Sequence, residues 1–133
     1  MSGQGREQEQ GREQGAEEEQ RRDSAEVLRF ASVIRLRPEK EAEYRALHAD
    51  AWPAVLAALS RAHVRNYSIF LRDGVLFSYL EYAGDDYEAD MAGIGQDPET
   101  QRWWKLTDPC QQPVDGAAPG EWWAPLEEVF HLD

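Results

Sequence analysis

Cysteine is almost missing from this sequence. Cys110 stands alone among 133 residues, so no disulfide can close within the chain and no C-x-x-C spacing is available for zinc or thiol redox chemistry. Basic residues are also scarce, with 14 Lys and Arg against 26 Asp and Glu and a formal net charge of -12. That balance repels phosphate backbones and anionic lipid headgroups, which argues against a nucleic-acid or membrane-surface partner. No stretch of 18 apolar residues occurs, and the first residues contain no apolar run that would serve a secretory signal. The expectation is a soluble cytoplasmic protein. Histidine appears only three times, never as a pair at ligand spacing, and G-x-G-x-x-G, P-loop and G-x-S-x-G motifs are all lacking. Any chemistry is expected to run without metal or coenzyme.

What is present divides sharply. Residues 1 to 26 hold no aromatic and no branched aliphatic side chain and repeat the theme G-R-E-Q. Such a segment buries too little surface to offset its ordering entropy, so it reads as a disordered acidic tail. Residues 27 to 133 carry all five tryptophans and all five tyrosines and read as a single domain.

Periodicity orders that domain. In VLRFASVIRLR, Leu28, Phe30, Ile34 and Leu36 alternate with Arg29, Ala31, Val33 and Arg35, the period-two mark of a half-buried strand ended by Pro38. From Glu39 the spacing turns helical and brings Tyr44, Leu47, His48, Ala51, Trp52 and Val55 onto one stripe. Pro53 must kink that helix or start another. VRNYSIFL, Asp73-Gly74 and VLFSYLEY spell a hairpin. Asp85 with Glu88 suggests a capping box, and Asp97-Pro98 a cap and first position for a helix through QRWWK. A loop rich in Pro, Gly and Ala follows, and LEEVFHL reads as a final strand. The order β-α-β-β-α-β predicts a ferredoxin-like α+β fold, an antiparallel sheet with helices on one face. Its other face needs a cover, and a second copy of the chain is the simplest one.

The chemistry-bearing residues are few. Tyr44 and His48 lie one helical turn apart and can address the same small molecule, and an imidazole that titrates near neutrality suits proton transfer. The plainer alternative is a half-buried helix residue bonded to a backbone carbonyl. His63 and His131 read as structural. Trp103 and Trp104 point about 100° apart if helical, so one ring can line a pocket while the other packs in the core. Their faces suit a pyranose, which presents C–H groups on one side. Trp122 and Trp123 follow a loop and read as a lid or, more simply, as interface residues.

EYRALHADAWP, RNYSIFL, TQRWWKLTDP and a terminal LEEVFHL, in that order, resemble the L-rhamnose mutarotase family over essentially all of residues 28 to 133. The resemblance implies a dimeric ferredoxin-like fold of the dimeric α/β-barrel type that interconverts the α and β anomers of L-rhamnose without metal or coenzyme. It implies His48 as proton donor and Tyr44, Tyr67, Trp103 and Trp104 as sugar contacts. The chain departs from the family pattern at Ala46-Leu47, where a basic pair is frequent, and in its long acidic tail. Two other readings share the architecture: a cofactor-free oxygenase or haem-degrading enzyme with His48 toward haem, and a sugar-binding module without turnover.

Overall fold

The computed structural model describes residues 27–133; the segment expected to be a disordered tail lies outside the described residues. Strand β1 (Leu28–Leu36) is followed by a 3-10 turn (Pro38–Lys40), helices α1 (Glu41–Ala49) and α2 (Pro53–Arg61), and the hairpin β2 (Val64–Arg72) and β3 (Val75–Tyr82). Helices α3 (Tyr87–Gln96) and α4 (Pro98–Thr107) come next, then a second 3-10 turn (Asp108–Cys110) and the short strands β4 (Gln111–Gln112) and β5 (Ala124–Leu126). Strand order is β2-β3-β1-β4, with β5 also pairing β1. β3 runs antiparallel to both β1 and β2, so β1 and β2 are parallel with β3 inserted between them. This is the ferredoxin-like split βαβ arrangement expected from the sequence.

Local chemistry explains the boundaries. Trp52 is extended (φ -69°, ψ 131°) ahead of Pro53 at the start of α2, as the residue before proline should be, so the long helical stripe breaks into two helices. Asp97 caps α4 through the Thr100 N–H at 2.9 Å. The cap of α3 is Asp86, whose side chain accepts from the Ala89 N–H, one residue later than the Asp85 capping box expected. The final strand also lies earlier than expected. Ala124, Pro125 and Leu126 pair with Val33, Ser32 and Ala31, whereas residues 127–133 form no strand. The ladder along this edge of β1 ends there, and β4, which the sequence did not announce, takes the other end at Arg35 and Leu36.

Ile34, Leu36 and Leu76 pack with Tyr44 and Cys110 beneath the helices, and Cys110 is buried and free. A second cluster joins Ala62, Val64 and Ile94. Next to it, His63 is less isolated than its spacing suggested. Its Nδ1 lies 3.3 Å from the Asp90 carboxylate, which also accepts from the Tyr82 hydroxyl. Among the described residues no helix is long and apolar enough to cross a membrane.

Strand β2 is irregular at one point. Arg65 pairs with Glu81 but Ser68 pairs with Tyr79, so the strand carries a bulge at Asn66 and Tyr67, with Asn66 in the left-handed region at φ 49°. In an unbroken register Tyr67 would sit opposite Tyr79, on the face away from the helices. The extra residue turns it to the helix side, with Ile69 and Leu71. The Asn66 amide fixes the bulge by donating to Glu81 at 2.7 Å. Asn tolerates this conformation and β-branched residues do not. Asn66→Val is therefore expected to cost about 1–2 kcal/mol, a drop of roughly 4–8 °C in melting temperature per kcal/mol for a domain of this size. Asn66→Gly should melt within a few degrees of the parent in the same thermal scan.

Candidate active site

Helices α1 and α4 and the bulged strand β2 surround an opening on the helix side of the sheet. Two adjoining cavities, of about 630 and about 460 Å³, share Tyr44, His48, Tyr67, Ile69 and Trp103. The smaller one is also lined by Trp104, Asp108, Gln111 and the pair Trp122 and Trp123. All five residues singled out in the sequence, namely Tyr44, His48, Tyr67, Trp103 and Trp104, thus border one space, although they come from three separate elements.

The imidazole is held on every side but one. His48 Nδ1 lies 2.9 Å from the Tyr44 carbonyl one turn earlier. A carbonyl only accepts, so Nδ1 must carry a proton. In the neutral ring that leaves Nε2 with its lone pair, and in the charged ring Nε2 becomes the proton to give away. The rings of Tyr44 and Trp103 flank the imidazole, with centroids 4.3 and 5.2 Å away. Trp52 in turn packs edge-on against Trp103 at 5.3 Å. The carbonyl bond of the plainer alternative is therefore real, and it is what fixes the orientation and tautomer that proton transfer needs.

Tyr44 is nearly buried at 5% exposure. Its hydroxyl accepts from Gln111 Nε2 at 3.1 Å, and the same amide's oxygen accepts from Trp122 Nε1 at 2.9 Å. Burial pushes the Tyr44 phenol up to about 12; Tyr67 is 42% exposed as a residue, and desolvation raises its phenol as well. Both phenols stay protonated at neutral pH and serve as hydrogen-bond donors, not bases. With its acceptor side occupied by Gln111, Tyr44 has its own proton free for a ligand. The two neighbouring tryptophans divide as helix geometry requires: Trp103 is 7% exposed and Trp104 41%, yet both contribute to the smaller cavity. Among the described residues no group of three or more His, Cys, Asp or Glu is arranged to hold a metal ion.

Residues 29–132 match the family model described as L-rhamnose mutarotase. The chain belongs to the L-rhamnose mutarotase family. An L-rhamnose mutarotase of Bacillus subtilis is 37% identical over 110 residues, covering 80% of this chain and all of that protein. One from Lactiplantibacillus plantarum is 34% identical over 109 residues with the same coverage. In three dimensions the chain resembles the crystal structure of an L-rhamnose mutarotase from Formosa agariphila, with a TM-score of 0.62 at 24% identity over 80% of this chain and 99% of that one.

As a mutarotase of this family, the chain has cavity residues that local sequence pattern does not mark. Trp122 and Trp123, expected from their loop position to be interface residues, line the smaller cavity together with Trp103 and Trp104. The loop between β4 and β5 folds back, and the Gln111 to Trp122 bond ties it down. No sequence signal points to Gln111, because its partners lie 67 and 11 positions away. Asp108 has a legible signal, since it falls one helical turn after Trp104.

Gln111→Leu removes one amide that serves two partners and leaves the Trp122 N–H and the Tyr44 hydroxyl without it. It is expected to destabilise by about 1–3 kcal/mol, the usual cost of stranding buried polar groups, and to shift tryptophan emission as the loop loosens. Tyr44→Phe deletes a single bond and should cost about 0.5–1.5 kcal/mol. Urea titration followed by fluorescence measures both.

Proposed function

We propose that the chain opens and recloses the pyranose ring of L-rhamnose in this cavity, with His48 as proton donor and Tyr44, Tyr67, Trp103 and Trp104 as sugar contacts. The observation that carries the reading is the His48 imidazole, oriented by the Tyr44 carbonyl at 2.9 Å in a space bordered by aromatic rings and phenols. The rings suit the C–H face of a pyranose and the phenols its hydroxyl rim. A neutral sugar gains nothing from the chain's acidity, which fits a cavity almost free of charged side chains.

The reaction follows from those groups. Nε2–H of the charged His48 ring delivers a proton to the ring oxygen as the C1–O5 bond breaks and the anomeric hydroxyl gives its own proton to a base at the cavity wall or to solvent water. C1 becomes an aldehyde carbon, rotates about C1–C2 and is attacked by O5 on its other face. As the ring closes the O5 proton returns to Nε2 and O1 regains a proton from the group that took it. Positioned acid-base catalysis of this kind supplies roughly 10²-fold to 10⁴-fold, ample for a reaction that already proceeds unaided.

Saturation-transfer NMR on L-rhamnose tests the assignment. His48→Asn keeps polarity and approximate size but cannot titrate; it is expected to lose most anomer exchange while retaining fold and much of the sugar affinity. Exchange as fast as in the parent would show that His48 is only a satisfied helix residue. Trp103→Ala should weaken binding more than it slows the bound reaction and should also lower the melting temperature, because that ring is largely buried.

We further propose that the working form is a cytoplasmic homodimer. Its lone cysteine suits a reducing compartment. The sheet face away from the helices carries a cross-strand row of Val33, Phe77 and Phe70, with Phe70 55% exposed. Beyond β5 the chain is tied to β1 by Arg29 and Glu128 at 2.8 Å, and Val129, Phe130 and Leu132 then stand almost fully in solvent. Exposed apolar side chains gathered in this way mark an interface. Light scattering should give twice the chain mass, and Phe70→Glu with Phe77→Glu should give single chains; a monomeric parent protein refutes the dimer.

A further inference from the structure

Ring opening moves two protons, one onto the ring oxygen and one off the anomeric hydroxyl. The oriented imidazole accounts for the first. Among the side chains that line the two cavities, Tyr44 and Tyr67 hold their protons throughout the neutral range, the Gln111 amide does not titrate, and Arg45 is permanently charged. The one carboxyl on those walls is that of Asp108.

Asp108 stands where α4 ends and the second 3-10 turn begins. It is the C-cap of α4, with helical dihedrals (φ -57°, ψ -42°), so it continues the helical path and falls on the face of Trp104 one turn earlier. A carboxylate at a helix C-terminus faces the negative end of the helix dipole, which disfavours it. Among the described residues its side chain makes no hydrogen bond or ion pair. Asp97, at the other end of the same helix, accepts from both the Thr100 N–H and the Thr100 hydroxyl. Asp108 is an exposed residue, and partial desolvation at the cavity wall raises its carboxyl above its ordinary range.

We propose that Asp108 is the second acid-base group of the reaction, taking the proton from the anomeric hydroxyl while His48 protonates the ring oxygen; this rests on the mutarotase reading of the cavity. The anomeric O1–H proton passes to an Asp108 carboxylate oxygen and the O1 electron pair forms the carbonyl bond to C1. The C1–O5 bond breaks, and O5 takes the proton from His48 Nε2. After rotation O5 attacks the opposite face of C1 and returns its proton to His48, and Asp108 returns its proton to O1. Both groups end as they began. The two act from different elements, α1 and the end of α4, which allows them to reach different oxygens of one ring.

The test compares the parent protein with Asp108→Asn and Asp108→Glu. It uses saturation-transfer NMR at saturating L-rhamnose, tryptophan quenching for affinity, and pH profiles from about pH 4 to 8. For Asp108→Asn we expect the bound exchange rate to fall about 10²-fold to 10⁴-fold, the range of a lost acid-base group, with affinity within about threefold. Activity in the parent should fall as the carboxyl is protonated on acidification, and this acid limb should vanish from the residual activity of the variant. A carboxyl whose folded pKa is raised destabilises the fold above that pH when ionised. Asp108→Asn should therefore melt at or above the parent temperature at pH 7, which separates lost chemistry from lost structure. Asp108→Glu keeps the base and should recover part of the rate. The assignment is overturned if Asp108→Asn exchanges within about threefold of the parent, if its loss is matched by lost affinity, or if it keeps the acid limb. A parent protein that does not accelerate exchange at all overturns the mutarotase reading, and this assignment with it.

Discussion

The antiparallel ladder between β1 and β3 is the constraint from which the rest of the molecule hangs. Eight consecutive residue pairs, from Leu28 with Tyr82 to Arg35 with Val75, fix which side chains of the sheet meet the helices. Because strand side chains alternate with a strict period of two, a slip of one residue would send Ile34 and Leu76 to the open face and Val33 and Phe77 into the core. The buried Ile34, Leu36 and Leu76 then give α1 a surface to lie on. Tyr44 packs into that cluster, and through Tyr44 the position of His48 is set.

The cavity exists because this regular frame is broken at chosen points. Pro53 ends the long helical stripe and lets α2 take a separate path from α1. The bulge at Asn66 turns Tyr67 back under the helices when the alternation of β2 would have pointed it away. The outer edge of β1 is shared by two very short strands, β4 and β5, so the chain between them is free to fold over the opening and bring in Trp122 and Trp123. Each break is small and local, and each delivers one wall of the cavity.

Polar groups inside are few and mostly committed. The Tyr44 carbonyl takes the imidazole, Gln111 joins the Tyr44 hydroxyl to Trp122, and the phenols are held protonated by desolvation. What remains uncommitted is one imidazole nitrogen, the phenolic protons and one carboxyl. A site so provisioned can donate hydrogen bonds to hydroxyls and move protons, which is what a neutral sugar undergoing ring opening requires. Among the described residues, acidic side chains also lie on surfaces away from the cavity, such as Glu128 paired with Arg29.

Local pattern by itself determined a good deal. The period-two alternation of residues 28 to 36, the helical stripe through Tyr44 and His48, the Asp73-Gly74 turn and the Asp97-Pro98 cap each encode their element through nearest-neighbour sterics and hydrogen bonds. Together they specified the ferredoxin-like order, and the resemblance carried by EYRALHADAWP and QRWWK pointed to His48 and its aromatic companions. Tertiary structure alone decided the remainder. The bulge that reverses Tyr67 depends on pairing with β3, so the alternation of β2 could not announce it. The bond from Gln111 to Tyr44 spans 67 positions, and the meeting of Trp122 with Trp103 around one cavity arises only when β4 and β5 share an edge. LEEVFHL departs from its expected strand for the same reason. Its sequence has strand character, but a strand needs a partner edge, and within one chain the ladder on β1 stops at Leu126.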